Sequence, residues 1–287
     1  MPAEALFIDV RAGALGRRFA MHHLPPGGPP QGLAVYVHPF AEEMNKSRRM
    51  AALHAAAMAE SGWAVLQPDL LGCGDSAGDF GQARWDDWVD DVVQSCQWLR
   101  QRHDLPQAPL CLWGLRAGCL LAAQAARRLE CAASSFLFWQ PVLNGQVLLQ
   151  QFLRLKLAGD LVGGTGKQAM EAARQALANG QNVEIAGYCV SPGMAQGLAA
   201  ARLQPSPTPS QVDWFDLSLR EDLPPSAAAD SIAASWQAAG HRMHRHKVLC
   251  PSFWQTAEIE ICPDLIESSI AALGTLTTAR STRPQPA

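Results

Sequence analysis

The stretch that decides the fold is residues 110–118, which read LCLWGLRAG. Its first four residues are apolar, as expected of a buried strand, and a segment rich in small and apolar residues follows from Cys119. Gly114 and Gly118 let the backbone turn sharply and let a strand and a helix approach closely. The stretch therefore predicts a buried strand, a tight turn centred on Arg116, and a helix.

This arrangement matches the surroundings of the G-x-S-x-G nucleophile elbow, which lies between a strand and a helix. The middle position of such an elbow holds a serine, whereas here it holds Arg116. A guanidinium stays protonated and cannot act as an acyl-transfer nucleophile. The sequence therefore predicts a hydrolase scaffold without the usual hydrolase nucleophile.

Strands and helices alternate around this stretch. Besides an amino-terminal hairpin (5–11 and 17–23, with a turn at 13–16), we predict buried strands over 33–37, 64–67 and 136–139, and helices over 48–61 and 85–102. This alternation favours an α/β fold with a doubly wound, mostly parallel sheet, whose ligands bind beyond the carboxyl ends of the strands. His38, Asp69, Arg116 and Gln140 all fall at such ends, so we expect a site there.

The pattern changes after Pro141. Residues 145–178 look helical with a break at Gly163 and Gly164, and a short apolar piece and a short helix follow. We predict a helical cap over 145–205, inserted between core parts 1–144 and 206–275, with a disordered tail over 276–287. The second core part is expected to hold strands over 212–219 and 243–249 and helices over 227–239 and 263–273.

Composition excludes several classes of protein. The chain has 287 residues, 48% of them hydrophobic, and a net charge of -3. It therefore has material for a packed core, and it lacks the basic surface that nucleic acids or anionic membranes attract. No signal peptide and no membrane-spanning run are recognised, and the eight cysteines form no C-x-x-C pair. We expect reduced core thiols and a cytoplasmic location.

The order of elements resembles the α/β-hydrolase fold over nearly the whole chain, closest to its esterase and lysophospholipase-like branch. The segments HPFAEEMNKSRRM (38–50), WGLR (113–116) and FWQT (253–256), together with DLLGCGDS (69–76), carry the likeness. More narrowly, they resemble the exosortase A system-associated hydrolase 2 family. The resemblance implies a hydrolase of ester or thioester bonds that works with the exosortase protein-sorting system and exopolysaccharide synthesis.

A hydrolase of this fold needs an oxyanion hole, and backbone amides could supply it. One donor would be the N–H of Ala117, just after the elbow tip, and the second would be that of Phe40, since Pro39 has no N–H. The alternative is that both amides serve only the loop and the helix cap.

Two residues could replace the missing nucleophile. Ser76 follows a Gly-x-Gly-x turn, where a serine usually bonds its own backbone. Cys119 lies in the first turn of the elbow helix, where the helix end and Arg116 would lower a thiol pKa; the alternative is a small buried core residue.

The catalytic histidine should follow the last strand, but no histidine occurs after His246. His38 could act as a base, although a role in orienting the oxyanion loop is the favoured interpretation. His241, His244 and His246 could together bind a metal ion. The favoured interpretation is that they lie on the solvated face of an edge strand. We therefore expect no metal and no cofactor. The carboxylates along or after the strand at 212–219 have no clear role: Asp213, Asp216, Glu221 and Asp222.

Arg116 has two interpretations. It could pair with Asp69 or Glu42 as a structural plug, which we favour because an unpaired charge is costly there, or it could clamp an anionic group on a ligand. Apolar cap residues could wall an acyl or prenyl portion or could simply form helix core: Phe152, Leu153, Leu155 and Leu157.

Three hypotheses remain open from the sequence. The first is an ester or thioester hydrolase with an atypical nucleophile or with water activated by His38. The second is a catalytically inactive pseudo-hydrolase that binds a small anionic ligand or a partner protein. The third is a regulatory or assembly subunit, which predicts a large apolar patch on the cap.

Overall fold

The computed structural model describes residues 3–9, 16–159, 166–222 and 226–281. Eight strands form one sheet in the order β1-β2-β4-β3-β5-β6-β9-β10. They are β1 (Ala3–Asp9), β2 (Arg17–His23), β3 (Gly32–Val37), β4 (Trp63–Pro68), β5 (Leu110–Leu115), β6 (Ser135–Trp139), β9 (Gln211–Ser218) and β10 (Arg242–Leu249). The hairpin β1–β2 and the β2–β4 pair are antiparallel, and every pairing from β4 to β10 is parallel. The predicted α/β fold with a mostly parallel sheet is confirmed.

Helices cover both faces of the sheet. One face packs against α2 (Trp85–His103), α3 (Ala117–Ala126) and α7 (Ala227–Ala238), and the other packs against α1 (Glu42–Glu60) and α8 (Pro263–Ser281). Strand β5 contributes to both apolar layers, with Leu112 on the first face and Trp113 on the second. Burial on both faces explains why the central strands read as continuous apolar runs.

The segment between β6 and β9 lies over the carboxyl ends of the strands. It consists of α4 (Gly145–Gly159), α5 (Gly166–Ala178), a hairpin of β7 (Val183–Ile185) and β8 (Tyr188–Val190), and α6 (Pro192–Ala200). Aromatic contacts join it to the core: Phe152 of α4 lies 5.1 Å from Phe40, and Tyr188 of β8 lies 5.1 Å from Phe80 (ring centroids). Phe80 belongs to a short 3-10 helix, Phe80–Gln82, that precedes α2.

Several boundaries differ from the sequence prediction. Helix α1 begins at Glu42, six residues before the predicted start, because two glutamates in its first turn complement the helix dipole. Helix α8 continues to Ser281, so the predicted tail over 276–287 begins in helix, and residues 282–287 lie outside the described part. The predicted break at Gly163 and Gly164 and most of the turn at 13–16 also lie outside it.

No helix within the described residues is long and apolar enough to cross a membrane.

The turn between β5 and α3 depends on close approach of backbones. A Cβ atom added at Gly118 would lie 2.0 Å from the carbonyl oxygen of Val37, and one added at Gly114 would lie 2.7 Å from the amide nitrogen of Cys119. Neither neighbour is a flexible side chain that could move aside. Gly118 therefore allows the elbow helix to pack against the end of β3, and Gly114 allows β5 to approach the first turn of that helix.

We expect Gly118→Ala to lower the free energy of unfolding by about 3 kcal/mol, because the added methyl group overpacks a rigid backbone contact. Gly274→Ala in α8 is the matched control: its added Cβ meets no atom within 4 Å, so the helical preference of alanine should raise stability by up to about 1 kcal/mol. Urea unfolding of both variants measures the difference. Equal stability of the two would contradict the packing argument.

Candidate active site

The tip of the elbow has the strained backbone of a nucleophile position. Arg116 has φ 54° and ψ -116°, a left-handed conformation that a residue with a Cβ rarely adopts. Three hydrogen bonds hold it there: its N–H donates to Trp139 O at 3.0 Å, and its carbonyl accepts from the amides of Val142 and Cys119, each at 3.2 Å. The fold therefore presents this side chain at the carboxyl edge of the sheet.

The guanidinium of Arg116 pairs with the carboxylate of Glu43. Nε and one terminal nitrogen of Arg116 each lie 3.3 Å from Glu43 Oε1, and the two side chains are only 15% and 16% exposed. The predicted pairing with Asp69 or Glu42 is wrong, because the early start of α1 turns Glu43 toward the elbow. Glu42 instead accepts a hydrogen bond from Tyr188 Oη at 2.9 Å.

An indole covers the ion pair on its other side. Trp254 lies in the loop after β10, and the Cζ atom of Arg116 is 5.4 Å from the centre of its ring. This distance is suited to a cation–π interaction. Hydrolases of this fold are expected to carry their catalytic histidine in this loop. In this chain Trp254 occupies the position beside the elbow tip where that histidine would be needed.

Burial and the guanidinium act in opposite directions on Glu43. Burial raises the pKa of Glu43 above its usual value, while the charge and hydrogen bond of Arg116 lower it. Gln255 lies beside the Glu43 carboxylate and also lowers its pKa through a side-chain hydrogen bond. Among the described residues of the site, the indole N–H of Trp254 is therefore the buried polar group that is left without a protein partner.

The two amides predicted to form the oxyanion hole follow neighbouring strands: Phe40 comes after β3 and Ala117 comes after β5. Among the described residues, neither the Phe40 nor the Ala117 amide donates a hydrogen bond to another group. Ala41, which follows Phe40, has a positive φ of 53°, so the loop turns tightly just before α1. The two amides remain available for a ligand oxygen.

His38 connects the oxyanion loop to the loop after β4. Its Nδ1 lies 2.8 Å from Pro39 O and therefore donates to it, while Nε2 accepts from the Leu70 amide at 3.3 Å. Burial lowers the pKa of His38, which keeps the ring neutral. Both ring nitrogens are used within the protein, an arrangement that fits a loop-orienting residue better than a base.

Asp69 and Ser76 stabilise the loop after β4. The Ser76 hydroxyl donates to Asp69 O at 2.5 Å and accepts from the Phe19 amide at 2.9 Å. The Asp69 carboxylate accepts from the Asp75 amide at 3.1 Å and pairs with Arg48 at 3.1 Å. These polar atoms are engaged with protein groups, and neither residue lines the cavity described below.

Cys119 and Gln140 also have structural partners. The Cys119 thiol donates to Gly114 O at 3.2 Å, and burial raises its pKa despite the opposing effect of Arg116; the favoured interpretation as a small buried core residue is confirmed, and the alternative of a thiol with a lowered pKa is wrong. Gln140 joins β6 to β9, since its Oε1 accepts from the Leu217 amide at 2.6 Å. It does not line the cavity described next.

A cavity of about 330 Å³ lies beside the ion pair and is lined by Glu43 and Trp254 but not by Arg116. It is bounded by the start of α1 with the loop before it, by α4, and by the loop after β10. Its apolar lining residues are Phe40, Ala41, Leu148, Phe152, Leu155 and Trp254, and its polar ones are Glu42, Glu43, Lys46, Gln151 and Gln255. Of the predicted cap wall, Phe152 and Leu155 line it, Leu153 is in the apolar core, and the side chain of Leu157 lies outside the described part.

A larger cavity of about 710 Å³ lies at the opposite edge of the sheet, beside Pro109, Ser134 and Gln211. It contains none of the predicted site residues and lies at the amino ends of the strands. The smaller cavity is the better candidate site, because ligands of open α/β sheets bind at the carboxyl ends.

The remaining histidines and carboxylates lie elsewhere. Buried Asp213 accepts from His246 Nε2 at 2.9 Å and lies 3.6 Å from His244 Nδ1, and Asp216 pairs with Arg245. In the part of the chain that the structure describes, no three His, Cys, Asp or Glu residues are arranged to hold a metal ion.

A family model described as serine aminopeptidase, S33 matches residues 28–183, more than half of the chain. The chain therefore belongs to this family of α/β hydrolases. Human Protein ABHD12B is 28% identical over 134 residues, which are 46% of this chain and 35% of that protein. The match thus spans about a third of the length of the curated relative.

Solved structures show the same fold. Est1E from Butyrivibrio proteoclasticus, bound to ferulic acid, is 14% identical with a TM-score of 0.67, covering 96% of this chain and 100% of that chain. XC6422 from Xanthomonas campestris, described as an α/β serine hydrolase without lid, is 17% identical with a TM-score of 0.55. The alignment covers 99% of this chain and 97% of that chain. At these identities the likeness concerns the fold alone.

Two functional residues escaped the sequence reasoning. Glu43 was passed over in favour of Glu42 because the start of α1 was placed too late. Trp254 was read only as the absence of a histidine. The arginine at the elbow tip is the signal that points to both, since a buried guanidinium needs a carboxylate and favours an aromatic face.

We expect Arg116→Met to lower the free energy of unfolding by about 3 kcal/mol near neutral pH, because it leaves Glu43 buried without its cation. The pKa of Glu43 then rises further above its value in the unfolded chain. A carboxyl group whose pKa is raised in the folded protein stabilises that protein when it is protonated at low pH. This stabilisation is lost as pH rises through the pKa of the group in the folded protein. The penalty should therefore shrink toward about pH 4, near the ordinary pKa of glutamate.

Urea unfolding across this pH range measures the effect. Arg116→Met combined with Glu43→Gln is the control, and it should cost less than Arg116→Met alone at neutral pH. A penalty that is independent of pH, or a double variant as unstable as the sum of the single variants, would show that the pair is not coupled.

Proposed function

We propose that this hydrolase-family chain binds a short amphipathic ligand at the cavity beside the Arg116–Glu43 pair and does not use the serine–histidine mechanism. The observation that carries the proposal is the Arg116–Glu43 pair beneath Trp254, because it occupies the space in which a nucleophile and its histidine would have to meet. The triad is, in this proposal, degenerate.

The candidate replacements support this reading. The Ser76 hydroxyl and the Cys119 thiol both bond backbone carbonyls, and the pKa of the thiol is raised. His38 has both ring nitrogens engaged. A nucleophile needs a base within hydrogen-bond reach, and none of these three groups has one available.

The cavity suggests the kind of ligand. Its volume of about 330 Å³ is at the lower end of the range of about 300–1,000 Å³ typical of small-molecule sites. The wall of Phe152, Leu155 and Trp254 suits a short acyl or aromatic group. Phe40 lines the cavity, so a carbonyl or carboxylate oxygen bound at that end would be received by the Phe40 amide, with the Ala117 amide as the proposed second donor.

A second candidate function is hydrolysis of an ester or thioester by water, and Glu43 favours it. A carboxylate with a raised pKa that lines the cavity has the properties of a general base. Water would attack the carbonyl carbon while Glu43 accepts its proton, and the amides would stabilise the oxyanion. This candidate replaces His38 as the group that activates water.

The biological setting is also a proposal. The resemblance of residues 38–50, 113–116 and 253–256 supports a role beside the exosortase and exopolysaccharide system, in the cytoplasm, with either a small molecule or a protein of that system as partner. The insertion between β6 and β9 supports a cap over 145–205 on a core made of 1–144 and 206–275.

We expect Leu155→Trp to weaken binding of hexanoate and ethyl hexanoate at least tenfold, because the larger ring fills the cavity. Val147→Trp is the matched control: it lies on the same helix, is 48% exposed against 49% for Leu155, and does not line the cavity. Isothermal titration calorimetry on the wild type and both variants makes the comparison. Equal affinity of all three proteins, or no binding to the wild type, would refute this ligand assignment.

Initial rates on p-nitrophenyl and thioester substrates of increasing acyl length separate the two candidates. Binding without turnover, and no labelling by a serine-reactive organophosphonate, supports the non-catalytic function. Turnover that Glu43→Gln abolishes while Val147→Trp retains it supports hydrolysis by water. Organophosphonate labelling of the wild type at a serine would overturn both.

A further inference from the structure

Two buried thiols stand at the two ends of the loop that carries Trp254. Cys250 directly follows the last residue of β10, and Cys262 directly precedes α8. The residues are 1% and 4% exposed and belong to the same apolar cluster as Trp254. Cys262 Sγ lies 3.7 Å from the carbonyl oxygen of Leu249, the residue before Cys250. The fold therefore brings the two ends of this loop together at their sulfur-bearing residues.

The two thiols also interact with each other. A hydrogen bond from Cys250 lowers the pKa of the Cys262 thiol, and the same contact raises the pKa of Cys250. The thiolate is the reactive form of cysteine, so Cys262 is the better attacking group. Cys250 is then placed beside it as a second thiol.

We propose that Cys250 and Cys262 are a thiol modification site that closes to a disulfide when the protein meets a disulfide oxidant such as oxidised glutathione. The Cys262 thiolate attacks one sulfur of the oxidant, whose S–S bond breaks and releases a glutathione thiolate. The Cys250 thiolate then attacks Cys262 in the mixed disulfide and releases the second glutathione. Two protein thiols are oxidised, and one glutathione disulfide is reduced to two thiols.

The loop offers a way in for the oxidant. Residues 257–261, just before Cys262, are exposed, and Ile259 is 68% exposed. An exposed segment with few apolar contacts can open locally without unfolding the domain. Once formed, the disulfide would tie both ends of the segment that holds Trp254 against Arg116, so it would restrain one wall of the cavity.

Other cysteines provide the contrast. Cys96 and Cys111 are buried and their pKa values are raised to about 12 by burial, so they react slowly. Cys189 is exposed and accessible. An oxidant that acted by exposure alone would therefore modify Cys189 and leave Cys250 and Cys262 unchanged.

The test uses the full chain equilibrated in glutathione buffers of increasing oxidised fraction, quenched with an alkylating reagent. Intact mass should show two fewer alkyl groups than the eight cysteines allow, and peptide mapping should join Cys250 to Cys262. Glutamyl endopeptidase should cut the oxidised protein after exposed Glu258 or Glu260 into fragments that separate only after reduction. An unchanged thiol count, a cross-link between other cysteines, or fragments that separate without reductant would overturn the proposal.

Variants sharpen the result. Cys189→Ser should still lose two alkylatable thiols on oxidation, whereas Cys250→Ser and Cys262→Ser should not. Cys250→Ser should instead retain glutathione on Cys262, which intact mass detects. Retention of the cross-link in either Cys250→Ser or Cys262→Ser would contradict the pairing, and mapping of the wild type gives the answer even where a variant does not fold.

Discussion

A guanidinium at the end of a buried strand has to be neutralised where it lies, because a charge removed from water without a partner destabilises the fold by several kcal/mol. In this chain Glu43 supplies the partner for Arg116, and Trp254 covers the pair. The carboxylate can do so because α1 begins at Glu42 and therefore lies close to the elbow. The loop before α1, the loop after β10 and the elbow are thus tied to a single electrostatic contact.

This dependence explains the shape of the cavity. Glu43 of the ion pair and the rest of the start of α1 form one side of it, the loop after β10 with Trp254 forms another, and α4 forms the remaining wall. The backbone amides of Phe40 and Ala117 remain because they belong to the turns themselves, and turns do not change when side chains do.

Much of the fold could be predicted from the sequence, since buried parallel strands and the glycines around Arg116 have strong local patterns. The same patterns placed His38, Asp69 and Gln140 at strand ends correctly, but not their partners. The partner of Arg116 depends on where α1 starts, and one residue more or less in a helix rotates the side chain by about 100°. The raised pKa of Cys119 depends on burial, which outweighs the nearby charge and is invisible in the order of residues.

The strained backbone at Arg116 has a consequence for how such proteins are grouped. The conformation with φ 54° is kept by hydrogen bonds from Val142 and Cys119 and to Trp139, none of which involves the side chain at the tip. A search by backbone shape would therefore place this chain among the serine hydrolases, whereas a search by side-chain constellation would pass it over. In this chain the backbone of the elbow is fixed by the sheet and its flanking turns, so the residue at the tip can differ without changing the shape of the turn.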